Sequence, residues 1–305
     1  MKRYDHVVVV GIDGAGGFIK GAYTPNFDRI FENGAVTHTA LSTFPTASAE
    51  CWGSMILGVG PEVHKLTNAN IKDAPYPSDS PFPSVFKRIR DNIPDAELGS
   101  YCCWWPITSG IVENDIGVSN DSGADDPLTL KISSYIKSKK PTFLFVQFDS
   151  LDYVGHYNGY GYESEAYMKR MTEVDVLLND IHEATIEAGM ENTLFMVVVD
   201  HGGTEFDGKM AYHGGWSDAE RLVTFAAVGK GVRKTKLEEV NIRDLAAIVL
   251  YAFGIEAPSF DEKGWTSQIP LGLFEDADIS EYHDISDLLG APPRVSKAPH
   301  TSEPV

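Results

Sequence analysis

Residues 194–203 read LFMVVVDHGG: six apolar residues without a polar interruption, then Asp200, His201 and two glycines. A short run of this kind, rich in Val and Phe and without alternation, predicts a strand buried on both faces, the habit of a parallel sheet. The same grammar occurs twice more. VVVVGI at 7–12 ends at Asp13, and TFLFVQF at 142–148 leads through Asp149 into DYVGH at 152–156. Ligands of open α/β sheets bind outside the carboxyl ends of the strands. Three strand ends carrying carboxylate and imidazole therefore predict one shared polar site. His213, twelve residues after His201, extends the set. Asp13, Asp152, His156, Asp200, His201 and His213 then supply six nitrogen or oxygen ligands, too many for one divalent ion with an open position and suited to two. Such mixed donors favour zinc or manganese over calcium or magnesium. Asp149, three residues before Asp152, competes as a ligand.

The composition bounds the rest. At 305 residues, 43% hydrophobic and 11% aromatic, the chain is globular and long enough to bury a large core. No apolar run approaches the roughly 18–20 residues of a membrane span. The opening MKRYDHVVVVGID has the outline of a signal peptide, but its apolar stretch is six residues long and ends at Asp13 and Gly14. We read a first core strand there and expect a cytoplasmic protein. Cys51, Cys102 and Cys103 offer no pairing framework, so reduced thiols are expected. A formal net charge of −19 argues against nucleic acid or anionic membrane as a partner. It is awkward for an enzyme acting on phosphates unless bound divalent cations offset the local carboxylates.

Strand and helix patterns alternate along the chain. Helices are expected over about 26–33, 48–57, 81–92, 126–138, 163–188 and 242–253, and a further strand over 221–229. The expected fold is α/β: a doubly wound, mostly parallel central sheet with helices on both faces. Residues 1–280 read as one domain. Within it, 66–125 is the least regular stretch and is expected to be a small insert over the strand ends, a candidate for substrate selection. Residues 281–305 read as a polar, Pro-rich C-terminal arm, with His300 solvated.

A nucleophile fits the same picture. Thr43–Gly60 reads TFPTASAECWGSMILGVG, and Ser48 heads the helical part. A helix N-terminus favours anionic groups, and a serine hydroxyl needs a base or a metal to become a useful nucleophile. The bland reading of Ser48 is an ordinary helix cap. His6, His38 and His64 read as satisfied core or surface histidines.

In order along the chain, GID at 11–13, TASAECWGSMILGVGPEVH at 46–64, DYVGH at 152–156, DHGG at 200–203 and His213 resemble the alkaline phosphatase superfamily. Its type I phosphodiesterase/nucleotide pyrophosphatase members are resembled in particular. The resemblance implies a two-metal phosphoric ester hydrolase, using zinc or in some members manganese, that works through a covalent phospho-enzyme. Carried over, one metal would sit between Asp13, Ser48, Asp200 and His201, and the other between Asp152, His156 and His213. The family's nucleophile lies ten residues before the Gly of the turn that precedes P-E-x-H, and counting back from Gly58 gives Ser48. Thr46 and Thr43 compete, because TFP at 43–45 resembles the phosphodiesterase nucleophile string at a spacing five residues too long. Asn68 and Asn70 flank the place where the family carries an Asn that donates to a phosphate oxygen. Lys65 stands where the family often has Gly.

The resemblance also implies a small phosphate ester as partner, with nucleotides among the candidates. Sulfatases of the superfamily need a Pro and an Arg after the nucleophile, which Ser48-Ala49-Glu50-Cys51-Trp52 lacks. Phosphomutase or phosphotransferase activity is an alternative, with 66–125 as the cap. A non-catalytic, metal-stabilised binding protein is another.

Overall fold

The computed structural model describes residues 2–277, 279 and 281–285. Most of the expected C-terminal arm, His300 included, lies outside the described residues. The strands are β1 (His6–Ile12), β2 (Ala35–Leu41), β3 (Leu98–Cys102), β4 (Ser119–Asp121), β5 (Phe143–Phe148), β6 (Thr193–Val198), β7 (Leu222–Val228) and β8 (Thr235–Lys236). The α-helices are α1 (Pro25–Phe31), α2 (Ser48–Leu57), α3 (Pro61–His64), α4 (Val85–Asn92), α5 (Pro106–Gly110), α6 (Asp125–Lys139), α7 (Ser150–Asn158), α8 (Glu165–Glu187), α9 (Asp218–Arg221) and α10 (Asp244–Phe253).

One sheet holds the strands in the order β4-β3-β5-β1-β6-β7-β2-β8. Among the described strands β7 alone runs against the others, pairing antiparallel with both β6 and β2. The helices form two mutually packed sets. One gathers α1, α6 and α7 around α8, and the other joins α2 to α3, α5 and α10, with α4 against α10. This is the α/β arrangement expected. Val7–Val10 of β1 and all of β5 are inaccessible to solvent, as strands covered on both faces must be.

Two features of this order position the site. First, β1 lies between β5 and β6, so Asp13, the segment after Phe148 and Asp200 emerge from adjacent strands spaced by roughly 5 Å. Second, α7 begins two residues after β5 and carries Asp152 and His156 at i,i+4 on one face. Its start is tied down by Asp125, whose carboxylate accepts from Asp149 N and Ser150 N, each at 3.1 Å, and from the Ser150 hydroxyl.

Part of 66–125 is framework. β3 lies hydrogen-bonded between β4 and β5, although LGSYC has neither the length nor the β-branched content of a legible strand. The first residues of the arm pack down: Tyr282 donates to Asp244 at 2.6 Å, and His283 stacks on Phe260 at 4.2 Å between ring centroids. No helix among the described residues is long and apolar enough to cross a membrane.

Candidate active site

Two clusters of potential ligands stand side by side at the carboxyl edge of β5-β1-β6. Asp13, Asp200 and His201 form the first, and Asp152, His156 and His213 the second; within each, one ligand atom per residue lies within 4.8 Å of the others. The stacked rings of His201 and His213, 3.8 Å between centroids, join them. All six residues proposed from the sequence are therefore in one place.

The first cluster is fully buried. Gly11 makes room for it, because a Cβ there would come 2.6 Å from the Trp52 ring, and that indole donates to Asp13 Oδ2 at 2.9 Å. Gln147 Nε2 donates to the same oxygen, also at 2.9 Å. Gly14 turns the chain with φ +68°, and a Cβ on it would meet Asp152 Oδ1 at 2.5 Å, so both torsion and space call for glycine. Asp200 Oδ1 accepts from Gly14 N at 3.1 Å and His201 N at 2.8 Å. That leaves Asp13 Oδ1 and Asp200 Oδ2 buried without a hydrogen bond. Both face His201 Nε2, at 3.5 and 3.3 Å. His201 Nδ1 lies 3.0 Å from Gly202 O, which can only accept, so the proton sits on Nδ1 and Nε2 presents a lone pair.

The second cluster repeats the device. His156 Nδ1 donates to Ala211 O at 2.9 Å and His213 Nδ1 to Thr46 O at 2.8 Å. Their Nε2 atoms face Asp152, at 3.2 Å from Oδ2 and 4.0 Å from Oδ1 respectively. Tyr160 donates to Asp152 Oδ1 at 2.7 Å. Imidazoles anchored through Nδ1 to main-chain carbonyls are typical of metal-binding histidines. Here three imidazole lone pairs and the carboxylate oxygens converge, so the donor set fits divalent cations.

The electrostatics agree. Burial, then the charges of Asp200 and Asp152, push Asp13 far above the ordinary carboxylate range. Burial and Asp152 do the same to Asp200. For Asp152, burial pushes upward, but His213, His156 and His201 outweigh it and hold the group low. Burial, reinforced by His213, keeps His201 neutral, and His213 is also lowered by burial. Bound cations would remove the conflict among the carboxylates.

The three candidate hydroxyls separate clearly. Ser48, the first residue of α2, places Oγ 3.4 Å from His201 Nε2, beside the two unbonded carboxylate oxygens. Thr46 donates to Gly215 O at 2.8 Å and accepts from Gly214 N at 2.9 Å, holding the loop that carries His213. Thr43 accepts from the buried Arg243 at 2.9 Å. The Thr46 and Thr43 hydroxyls are thus already hydrogen-bonded within the fold.

The asparagines separate as well. Asn68 Oδ1 accepts from Ala49 N at 2.8 Å, which fixes the side chain beside the start of α2 through its oxygen. That same bond occupies one of the free N–H groups at the start of α2. Asn70 closes its own turn, accepting from Thr67 N and donating to Lys65 O. Lys65 occupies the left-handed region at φ 60°, the conformation a Gly would adopt without strain. His64 is structural: it accepts from Leu66 N at 2.9 Å and lies 3.3 Å from Glu50 O. Asp149 stays outside both clusters. Sequence reasoning missed Trp52, Gln147 and Tyr160; a polar residue inside the apolar run FLFVQF was the one available signal.

A sequence model described as type I phosphodiesterase / nucleotide pyrophosphatase matches residues 7–225. The chain belongs to that family. It is accordingly a phosphoric ester hydrolase of the alkaline phosphatase superfamily. A comparison with curated proteins gives no match. Among solved structures, murine ectonucleotide pyrophosphatase / phosphodiesterase 5 is 15% identical with TM-score 0.67, over 84% of this chain and 97% of that one. The human protein of the same name is 14% identical with TM-score 0.68, over 84% and 96%. A 2-O GAG sulfatase gives TM-score 0.71 at 14% identity, over 92% of this chain and 76% of its own. At such identities these likenesses show the shared fold.

Proposed function

We propose that this family member is a two-metal phosphodiesterase that works through a covalent phospho-Ser48 intermediate. The observation that carries the proposal is the convergence of His201, His156 and His213 Nε2, each with Nδ1 spent on a carbonyl, upon carboxylate oxygens that include two with no other partner. Asp13, Asp200, His201 and Ser48 would hold one ion, and Asp152, His156 and His213 the other. When bound, two divalent cations, zinc or manganese, would offset phosphate charge and lower the pKa of the Ser48 hydroxyl.

Ser48 Oγ, its proton released to solvent, attacks phosphorus in line as the bond to the leaving oxygen breaks; one alcohol departs and the other stays esterified to phosphorus, giving a seryl phosphodiester. The Asn68 amide donates to a non-bridging oxygen throughout. Water then attacks phosphorus, the Oγ–P bond breaks, and the hydroxyl is restored. The charges acting most strongly on Asp13, Asp152 and Asp200 are carboxylates and imidazoles, with no Lys or Arg among them. A singly charged diester suits that surrounding better than a doubly charged monoester.

Nucleotide esters are the first natural substrates to try, because an inactive variant of murine ectonucleotide pyrophosphatase / phosphodiesterase 5 has been solved in complex with AMP. Within 66–125, the stretches 66–81 and 103–118, outside both the sheet and α4, remain our candidates for substrate selection. The free Cys51, Cys102 and Cys103 suit the cytoplasmic location we retain.

The test is the full chain loaded with zinc or manganese and assayed on bis(4-nitrophenyl) phosphate and 4-nitrophenyl phosphate. We expect kcat/KM for the diester to exceed that for the monoester at least about tenfold, a difference of about 1.4 kcal/mol. A preference for the monoester contradicts the diester assignment. Metal binding without turnover of either favours the binding-protein reading.

A further inference from the structure

Gln147 is the one polar side chain of β5 and is inaccessible to solvent. It stands opposite Gly11 in the β1–β5 register, two residues before Asp13. Its Oε1 accepts from Trp104 N at 2.9 Å. A main-chain N–H can face only the oxygen of an amide, so this bond fixes the orientation of the group. The NH2 end then reaches two carboxylates, Asp13 Oδ2 at 2.9 Å and Asp149 Oδ1 at 3.0 Å. Trp52 adds a second donor to the same Asp13 Oδ2.

The consequence is an asymmetric carboxylate. Both donors lie on Oδ2, and Oδ1 is left without a hydrogen bond, 3.5 Å from His201 Nε2. Asp149, close enough in sequence to compete with Asp152, is held by the same amide on the β5 side. We propose that Gln147 is a positioning residue: its amide selects Asp13 Oδ1 as the ligating atom and keeps Asp149 out of the ligand set. This rests on the metal-centre reading above. Partners that orient a ligand in this way commonly change metal affinity ten- to a hundredfold when removed.

The test uses the full chain in three forms: wild type, Gln147→Leu and the closer isostere Gln147→Met. Each is stripped of metal and titrated with zinc against a chromophoric chelator, with thermal unfolding of the metal-free forms run in parallel. Wild type should bind two ions. Both variants should lose about ten- to a hundredfold in affinity at one site and keep the other. A variant that folds and binds both ions as wild type does overturns the proposal, whatever its melting temperature. A wild type that binds neither zinc nor, in a parallel titration, manganese refutes the metal-centre reading itself.

Discussion

Replacing Asp125 should loosen one end of the site without touching a ligand. Its carboxylate is fully buried and accepts from the N–H groups of Asp149 and Ser150, both at 3.1 Å, and from the Ser150 hydroxyl. Arg170 stands 3.6 Å away but also pairs with Asp126 at 2.9 Å and Glu173 at 3.0 Å, so it keeps partners when Asp125 is lost. The cost in Asp125→Ala falls mainly on the two main-chain donors at the start of α7. At about 1–2 kcal/mol each, the loss is about 2–4 kcal/mol. Asp125→Asn keeps one acceptor oxygen and turns an NH2 toward the remaining donors, so about half that loss is expected. Urea unfolding of the metal-free protein measures both. Because α7 carries Asp152 and His156, zinc affinity should fall at their site and hold at that of Asp13, Asp200 and His201. A change in stability under about 0.5 kcal/mol, the range of ordinary surface substitutions, would refute the reasoning.

Three further outcomes are expected. Ser48→Ala should bind both metals and lose at least about a thousandfold in turnover; near wild-type rates on an aryl phosphodiester would remove Ser48 as nucleophile. Thr46→Val should retain the phospho-enzyme while losing the bonds to Gly214 and Gly215, at a cost of about 1–3 kcal/mol in stability; abolished phosphorylation with unchanged stability would reverse the assignment. Burial depresses His64 to a pKa of about 3 in the fold, below its unfolded value of about 6.5. The stability it contributes is therefore complete above about pH 6.5 and is lost as pH falls toward 3. The wild type should weaken over that window more steeply than His64→Gln, and equal slopes would contradict a buried neutral His64.

Much of this was legible in the chain because the site uses the ends of strands. An apolar run that stops at Asp13, at Asp200–His201 or just before Asp152 states both a buried strand and the edge at which its chemistry sits. α2 could be read to the residue from Ser48 to Leu57, since Gly58 stops it in the left-handed region. β3 could not, because Leu98–Cys102 is stabilised by burial between two strands and carries no periodic signal of its own. The preference for Ser48 over Thr46 and Thr43 rested in the sequence on the resemblance's spacing alone. In the fold it depends on which hydroxyl has its hydrogen bonds spent, and those partners, Gly214, Gly215 and Arg243, lie about 170–200 residues away. The anchoring of each imidazole through Nδ1 is likewise a tertiary fact.

The most direct measurement is anomalous diffraction from crystals of the wild-type protein grown with zinc. Two adjacent peaks are expected, one ligated by Asp13 Oδ1, Asp200 Oδ2 and His201 Nε2 beside Ser48 Oγ, the other by Asp152 and the Nε2 atoms of His156 and His213. Diffraction of equal quality with no ion at these residues, or with ions ligated elsewhere, would contradict the two-metal assignment.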